Sequence, residues 1–132
     1  MRQINRLILH SAETPISKDF SAIDIDKWHK ERGFNEIGYH FVIKLTGELE
    51  FGRGVEQVGA HTFGFNNNSI GICLIGGVDN NGKRTDTRTP AQHRTLLGLV
   101  KMFKQIYPGI EVNGHYEFSD KKCPFFKVDE YK

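Results

Sequence analysis

The chain has 132 residues, of which 38% are hydrophobic and 26% charged, a composition that excludes an intrinsically disordered protein. Its net charge of +2 attracts polyanions only weakly, so nucleic-acid binding is not indicated. The apolar run Leu7-Ile8-Leu9 is far shorter than the ~20 residues of a membrane span, so membrane insertion is not indicated either. We expect one domain over residues 1–132 and a monomer.

The first third of the chain predicts a strand and a helix. The short apolar run from Arg6 to His10 predicts a buried strand with His10 at its end. A helix is predicted after Ser21, since acidic residues come early, basic residues late and Gly33 stops the pattern. Its Ile25 and Trp28 are expected to face the core.

The middle of the chain predicts a hairpin, a loop and a central strand. Residues 38–45 and 48–53 alternate around Thr46-Gly47, with Tyr39 and His40 at the hairpin's opening. Residues 54–68 are rich in Gly and Asn and predict a loop. The β-branched run Ser69–Ile75 predicts a central strand, and 78–88 a second polar loop.

The last third begins with the clearest helix start. Thr89-Pro90-Ala91-Gln92 combines an N-cap, a first-turn proline and a capping-box glutamine. Pro108-Gly109 should stop this helix, and residues 110–112 predict a short strand. The apolar face of the helix comprises Leu96, Val100, Phe103 and Tyr107. The whole pattern predicts an α/β protein with a central sheet and helices packed on its faces.

Three dispersed residues are candidate metal ligands. A catalytic zinc needs three N, S or O ligands and an open position for water. His115 and Cys123 lie eight positions apart, which matches no zinc-finger or helix-based metalloprotease spacing. His10, at a strand end, is a candidate third ligand. Taken alone, the trio fits surface histidines and a free thiol better than it fits a metal site, and Cys73 is expected to be a small core residue.

A series of motifs occurs in one order along the chain. They are Leu7-Ile8-Leu9-His10-Ser11-Ala12, Trp28-His29-Lys30-Glu31-x-Gly33, Gly38-Tyr39-His40-Phe41-Val42-Ile43, Gly59-x-His61, Asn66-x-x-Ser69-Ile70-Gly71-Ile72-x-Leu74-x-Gly76-Gly77, Thr89-Pro90-Ala91-Gln92, His115-x-Glu117 and Cys123-Pro124. Together they resemble the type 2 N-acetylmuramoyl-L-alanine amidases, the family of phage-lysozyme-type zinc amidases and peptidoglycan-recognition proteins. The resemblance runs from about Leu7 to Pro124.

The resemblance implies a fold, a cofactor and a reaction. The fold is a central mixed β-sheet flanked by helices, here as a single zinc amidase domain over residues 1–132. One Zn²⁺ per chain would be held by His10, His115 and Cys123, with Tyr39 and Lys121 as catalytic residues. The reaction is hydrolysis of the amide bond between N-acetylmuramic acid and L-alanine in peptidoglycan or a muropeptide. Phe125 departs from the small residue that relatives often have there, which leaves the shape of the site's rim open.

The remaining histidines and one arginine have weaker assignments. His61, in the Gly/Asn-rich loop, is a candidate substrate-binding residue, with an incidental loop histidine as the alternative. His40 is expected to be structural because it alternates with Tyr39 along a strand. His29 and His93 lie on helices and are expected to be solvated. Arg53 and the loop at 79–88 either bind the anionic muramoyl peptide or are solvated surface.

Two other functional classes stay open at this stage. One is a peptidoglycan-recognition module without catalysis, a branch usually marked by loss of the cysteine ligand. The other is a protein whose main partner is another protein. No signal peptide is visible, so we expect synthesis in the cytoplasm and action on the cell wall after release or export, as for a phage or prophage endolysin.

Overall fold

The computed structural model describes residues 1–132, which form seven strands and two α-helices. In chain order these are β1 (Arg6–Ser11), β2 (Thr14–Pro15), α1 (Ala22–Glu31), β3 (Phe41–Ile43), β4 (Leu49–Phe51), β5 (Ser69–Leu74), β6 (Gly77–Val78), α2 (Pro90–Ile106) and β7 (Glu111–Gly114). Short 3₁₀ turns occur at Asn66–Asn68, His115–Glu117 and Val128–Tyr131.

The central sheet has five strands in the order β4-β3-β5-β1-β7. Strands β3, β5, β1 and β7 are parallel, and β4 alone is antiparallel to its neighbour. The mixed sheet and the central place of β5 are thus confirmed. Leu9 is in register with both Ile72 and Gly114. The residues that follow β1 and β7 therefore meet at one edge of the sheet.

Both helices begin where the sequence predicted. The Ser21 hydroxyl accepts from the Asp24 N–H while the Asp24 carboxylate accepts from the Ser21 N–H. Thr89 and Gln92 form the same reciprocal pair at the start of α2, with Pro90 as the first helical residue. Each capping box satisfies donors that the first helical turn otherwise leaves free.

The two helices cover opposite faces of the sheet. On one face, α2 contributes Phe103 to the larger core cluster, which also contains Leu9 and Ile72. On the other, α1 packs Ile25 near Cys73 in a smaller cluster. Neighbouring side chains in a strand point to opposite faces. Because Leu9 faces α2, His10 faces the α1 side, where the sheet is less fully covered by apolar residues.

Some local features differ from the sequence prediction. Strands β3 and β4 have three residues each, shorter than the predicted hairpin arms. A small parallel sheet of β2 and β6 was not predicted, because two-residue strands carry no periodicity to detect. None of the helices combines the length and the apolar character that crossing a membrane requires.

Candidate metal centre and active site

His10, His115 and Cys123 come together at the edge of the sheet where β1 and β7 end. Their potential ligand atoms all lie within 4.8 Å of one another. His10 is the fifth residue of β1, His115 opens the 3₁₀ turn after β7, and Cys123 lies in the loop beyond. The parallel register of β1 and β7 is what brings these distant positions together.

Cys123 is buried and its sulfur already has a polar contact. The Ser11 backbone N–H donates to Cys123 Sγ at 3.0 Å, and the Tyr116 N–H donates to the Cys123 carbonyl at 2.9 Å. Burial raises the pKa of the Cys123 thiol to about 12, while the Ser11 hydrogen bond and Lys121 act in the opposite direction. Coordination to a metal deprotonates such a thiol, and an N–H donor suits the resulting thiolate.

The two histidines have the protonation state that metal binding needs. Their ring centroids are 4.6 Å apart, and His10 is almost wholly buried. Burial lowers the pKa of His10 well below its usual value and also lowers that of His115, with Lys121 adding to both effects. Both rings are therefore neutral at pH 7, and neutral imidazole is the ligand form.

Tyr39 and Lys121 lie beside this cluster. The Tyr39 ring centroid is 5.0 Å from that of His10. Burial raises the pKa of Tyr39 well above its usual value, so its hydroxyl keeps its proton. Lys121 is exposed, and both residues line one pocket of about 240 Å³ together with the three candidate ligands. The structure thus brings together all five residues that the family resemblance implied.

Helix α1 and the segment after it form one wall of this pocket, with Trp28, His29, Arg32 and Phe34 among its lining residues. The prediction that His29 is solvated is wrong. His29 is buried, and its Nδ1 accepts from the Gly38 N–H at 2.9 Å. The signal was present in the sequence, because Ala22, Ile25 and His29 recur at the spacing of one helix face.

His61 lies deeper than a rim residue. Its Nδ1 is 2.9 Å from His10 Nε2, and its ring stands edge-on to His10. Burial lowers the pKa of His61 to about 3. His61 does line the pocket, and its contact with substrate remains a prediction.

The other weakly assigned residues make internal contacts. His40 is fully buried, with Nδ1 accepting from the Gly71 N–H and Nε2 2.7 Å from the Gln57 carbonyl, which supports a structural role. His93 is only partly exposed, and its Nδ1 is 2.7 Å from the Tyr131 hydroxyl. Arg53 donates to the backbone carbonyls of Ile37 and Val58, so its guanidinium ties two segments together.

The fold is that of a small α/β protein, and its pocket contains two histidines and a cysteine whose ligand atoms are close enough to hold one metal ion. The family model described as N-acetylmuramoyl-L-alanine amidase matches residues 1–125. The chain therefore belongs to the N-acetylmuramoyl-L-alanine amidase family, as the motifs indicated.

Individual relatives agree with this assignment. The chain is 39% identical to an endolysin of Escherichia phage T7 over 125 residues, covering 95% of this chain and 83% of the relative. Among solved structures, the amidase LysC from Clostridium intestinale URNW has a TM-score of 0.85 at 28% identity, covering 99% and 84% of the two chains. A mutant of Drosophila PGRP-LB in complex with tracheal cytotoxin has a TM-score of 0.80 at 29% identity, covering 94% and 76%. The chain is accordingly an amidase that acts on peptidoglycan.

Proposed function

We propose that this chain binds one Zn²⁺ through His10, His115 and Cys123 and hydrolyses the bond between N-acetylmuramic acid and L-alanine as a lytic enzyme. The observation that carries the proposal is the convergence of these side chains, from three separate segments, within 4.8 Å at an open pocket. By analogy with the endolysins among its relatives, the proposed setting is lysis of a bacterial wall.

The donor set fits zinc by its chemistry. Imidazole nitrogen and thiolate sulfur are both donors that Zn²⁺ prefers, and three protein ligands leave a fourth position for water, as in catalytic zinc sites. The Ser11 N–H that already points at Cys123 Sγ would stabilise the thiolate's negative charge. When bound in such a site, zinc supplies a water with a pKa of ~7 and polarises a carbonyl oxygen.

Tyr39 and Lys121 have the same task in the reaction. Attack by a water oxygen on the lactyl carbonyl carbon places negative charge on the carbonyl oxygen. The C–N bond then breaks, and the proton lost by the attacking water passes to the departing alanine amine. The protonated Tyr39 hydroxyl is suited to donate a hydrogen bond to that carbonyl oxygen. Lys121 lines the same pocket and adds a positive charge close to it. We assign both to stabilisation of the oxyanion.

The test of the activity is incubation of purified protein with peptidoglycan, with and without a chelator, followed by mass spectrometry. We expect stem peptides with a free N-terminal alanine, formed only when zinc is present. Release of reducing sugar ends instead would assign the enzyme to glycan cleavage. Binding to the wall without any cleavage would favour a recognition module.

The two cysteines provide a matched test of the metal site. Cys123→Ser should lose stoichiometric zinc, because a serine hydroxyl stays protonated and is a poor ligand. Cys73→Ala removes a buried sulfur outside the cluster and should keep one zinc per chain. Metal analysis of both variants decides the point, and full zinc in Cys123→Ser would refute the ligand set.

A further inference from the structure

A run of hydrogen bonds connects the pocket to the loop before β5. The Ser69 hydroxyl donates to the Phe65 carbonyl at 2.7 Å, and Ser69 Oγ is 3.3 Å from His61 Nε2. On the other side of the ring, His61 Nδ1 is 2.9 Å from His10 Nε2. The Thr62 hydroxyl lies beside both rings, 3.0 Å from His61 Nδ1 and 3.3 Å from His10 Nε2.

The direction of each bond follows from the carbonyl at one end. A carbonyl oxygen can only accept, so the Ser69 hydroxyl donates its single proton to the Phe65 carbonyl. Ser69 Oγ can therefore only accept a hydrogen bond from His61. His61 must then carry its proton on Nε2, which leaves Nδ1 as an acceptor. Because His61 Nδ1 then has no proton, the 2.9 Å contact between the two rings is a hydrogen bond in which His10 donates from Nε2, and His10 Nδ1 is left as the nitrogen with the lone pair.

The backbone around His61 leaves room for its ring and little else. A side chain at Gly71 would place its Cβ 2.6 Å from His61 Cδ2, and one at Gly59 would come within 2.7 Å of the same atom. Both distances are shorter than carbon atoms tolerate. The backbone N–H of His61 also donates to Asn66 Oδ1 at 2.9 Å. The Gly59-x-His61 and Asn66-x-x-Ser69-x-Gly71 motifs thus form a slot that holds this ring.

We propose that His61 is a positioning residue that fixes the tautomer and orientation of His10, so that His10 Nδ1 is the ring nitrogen presented to the metal. This inference rests on the proposed function in that His10 must be a zinc ligand. In this proposal, residues 59–71 support the metal centre because they hold His61 in place. The substrate-binding role predicted for His61 would leave metal affinity unchanged, so the two roles are separable.

The first test compares zinc affinity between two variants of nearly equal shape. In His61→Asn a side-chain oxygen replaces the Nδ1 acceptor, whereas His61→Leu has no acceptor. We expect His61→Leu to bind Zn²⁺ about 10–100-fold more weakly in competition with a chromophoric chelator. His61→Asn should stay close to wild type. Phe63→Ala, at a fully exposed position of the same loop, is the control and should bind as wild type does.

A purely structural role predicts a different result. If His61 only fills space, Asn and Leu should weaken zinc binding equally, and that outcome would overturn the proposal. Thermal unfolding of each zinc-free variant establishes that it is folded. The absorption spectrum of the Co²⁺-loaded proteins is a second readout, because a changed ligand geometry at His10 alters its bands in His61→Leu but not in His61→Asn.

The tautomer itself can be measured in the zinc-free protein. Long-range ¹H–¹⁵N spectra should show His10 and His61 both protonated on Nε2, and Ser69→Ala should give a mixture of tautomers at His61. A His10 ring protonated on Nδ1 in the wild type would overturn the inference. If wild-type protein binds zinc but does not cleave peptidoglycan, the proposed activity fails and this inference stands. If it binds no zinc, both fail.

Discussion

Lys121 and Lys122 are adjacent in sequence but face different parts of the molecule. Lys121 lines the pocket of the metal cluster, whereas Lys122 lines a separate surface groove with Phe125 and Phe126. We expect Lys121→Ala to lower kcat/KM by about 10²-fold, because it removes a cation placed for the oxyanion. The variant should keep its zinc, since a lysine ammonium is not a ligand.

Lys122→Ala is the matched control for this experiment. It removes the same charge from the chain, so a general loss of attraction to the anionic wall would affect both variants alike. Turnover of a soluble muropeptide, measured for each, separates the two effects. Equal activities of Lys121→Ala and Lys122→Ala would remove Lys121 from the mechanism.

The Tyr39 hydroxyl is the second donor in the pocket. Tyr39→Phe keeps the ring that packs near His10 and His29 and removes only the hydroxyl. We expect kcat to fall by about 10²-fold with little change in KM, because the hydrogen bond strengthens as the oxyanion forms. Steady-state kinetics with zinc-loaded protein checks this. A higher KM with unchanged kcat would make Tyr39 a binding residue.

At the scale of single residues, the sequence located the cluster only through the family's motifs. The spacing of His115 and Cys123 has no diagnostic value, because β1 completes the site from over 100 residues away. The contact between His10 and His61 is invisible for the same reason. His29 could have been placed by helical periodicity, which the polar character of histidine obscured.

Helices were the most predictable elements, since their signals are local. Both capping boxes lie within four residues of sequence, and both hold in the structure. Strand register, by contrast, depends on partners that lie far along the chain. The pairing of β1 with both β5 and β7 therefore had to come from the structure.

Gln92 connects the start of α2 to two strands. It is completely buried, and its Nε2 donates to the carbonyls of Ile43 and Ile75, the last residue of β3 and the residue just after β5. Its Oε1 accepts from the Thr89 N–H. Gln92→Leu would leave the buried Ile75 carbonyl unpaired, at about 1–3 kcal/mol for an unsatisfied group, whereas the Ile43 carbonyl keeps the bond that it accepts from the Ile75 N–H. We expect a loss of about 1–3 kcal/mol in unfolding free energy.

Urea denaturation measures this change, with Arg94→Leu as the control. Arg94 is exposed on the same helix and makes no side-chain hydrogen bond or ion pair, so its replacement should change stability by about 0.5 kcal/mol or less. If the two variants unfold at the same urea concentration, Gln92 does not connect α2 to the sheet energetically.

Across the whole molecule, the two faces of the sheet have different roles, one in apolar packing and the other in forming the site. The larger core cluster lies on the α2 face, while the metal cluster and pocket lie on the α1 side. The polar side also contains several buried histidines. Burial lowers the pKa values of His10, His29, His40 and His61, so each of these rings is neutral in the folded protein at pH 7. Folding is therefore coupled to pH through these rings.

At His40 the direction of the effect of pH on folding stability can be stated. Burial lowers its pKa to about 4, and the Gly71 N–H occupies its Nδ1, so protonation would break that hydrogen bond. Between pH 6.5 and about 4 the unfolded chain binds a proton that the folded chain does not, so stability falls as the pH falls. We expect zinc-free protein to lose up to about 3 kcal/mol from His40 alone across this window. Urea unfolding in a chelator at pH 7.5, 6.5, 5.5 and 4.5 measures the summed effect of the buried histidines, to which His40 contributes. Constant stability over these conditions would mean that the folded and unfolded chains bind equal numbers of protons, so that folding does not shift the pKa values of these rings.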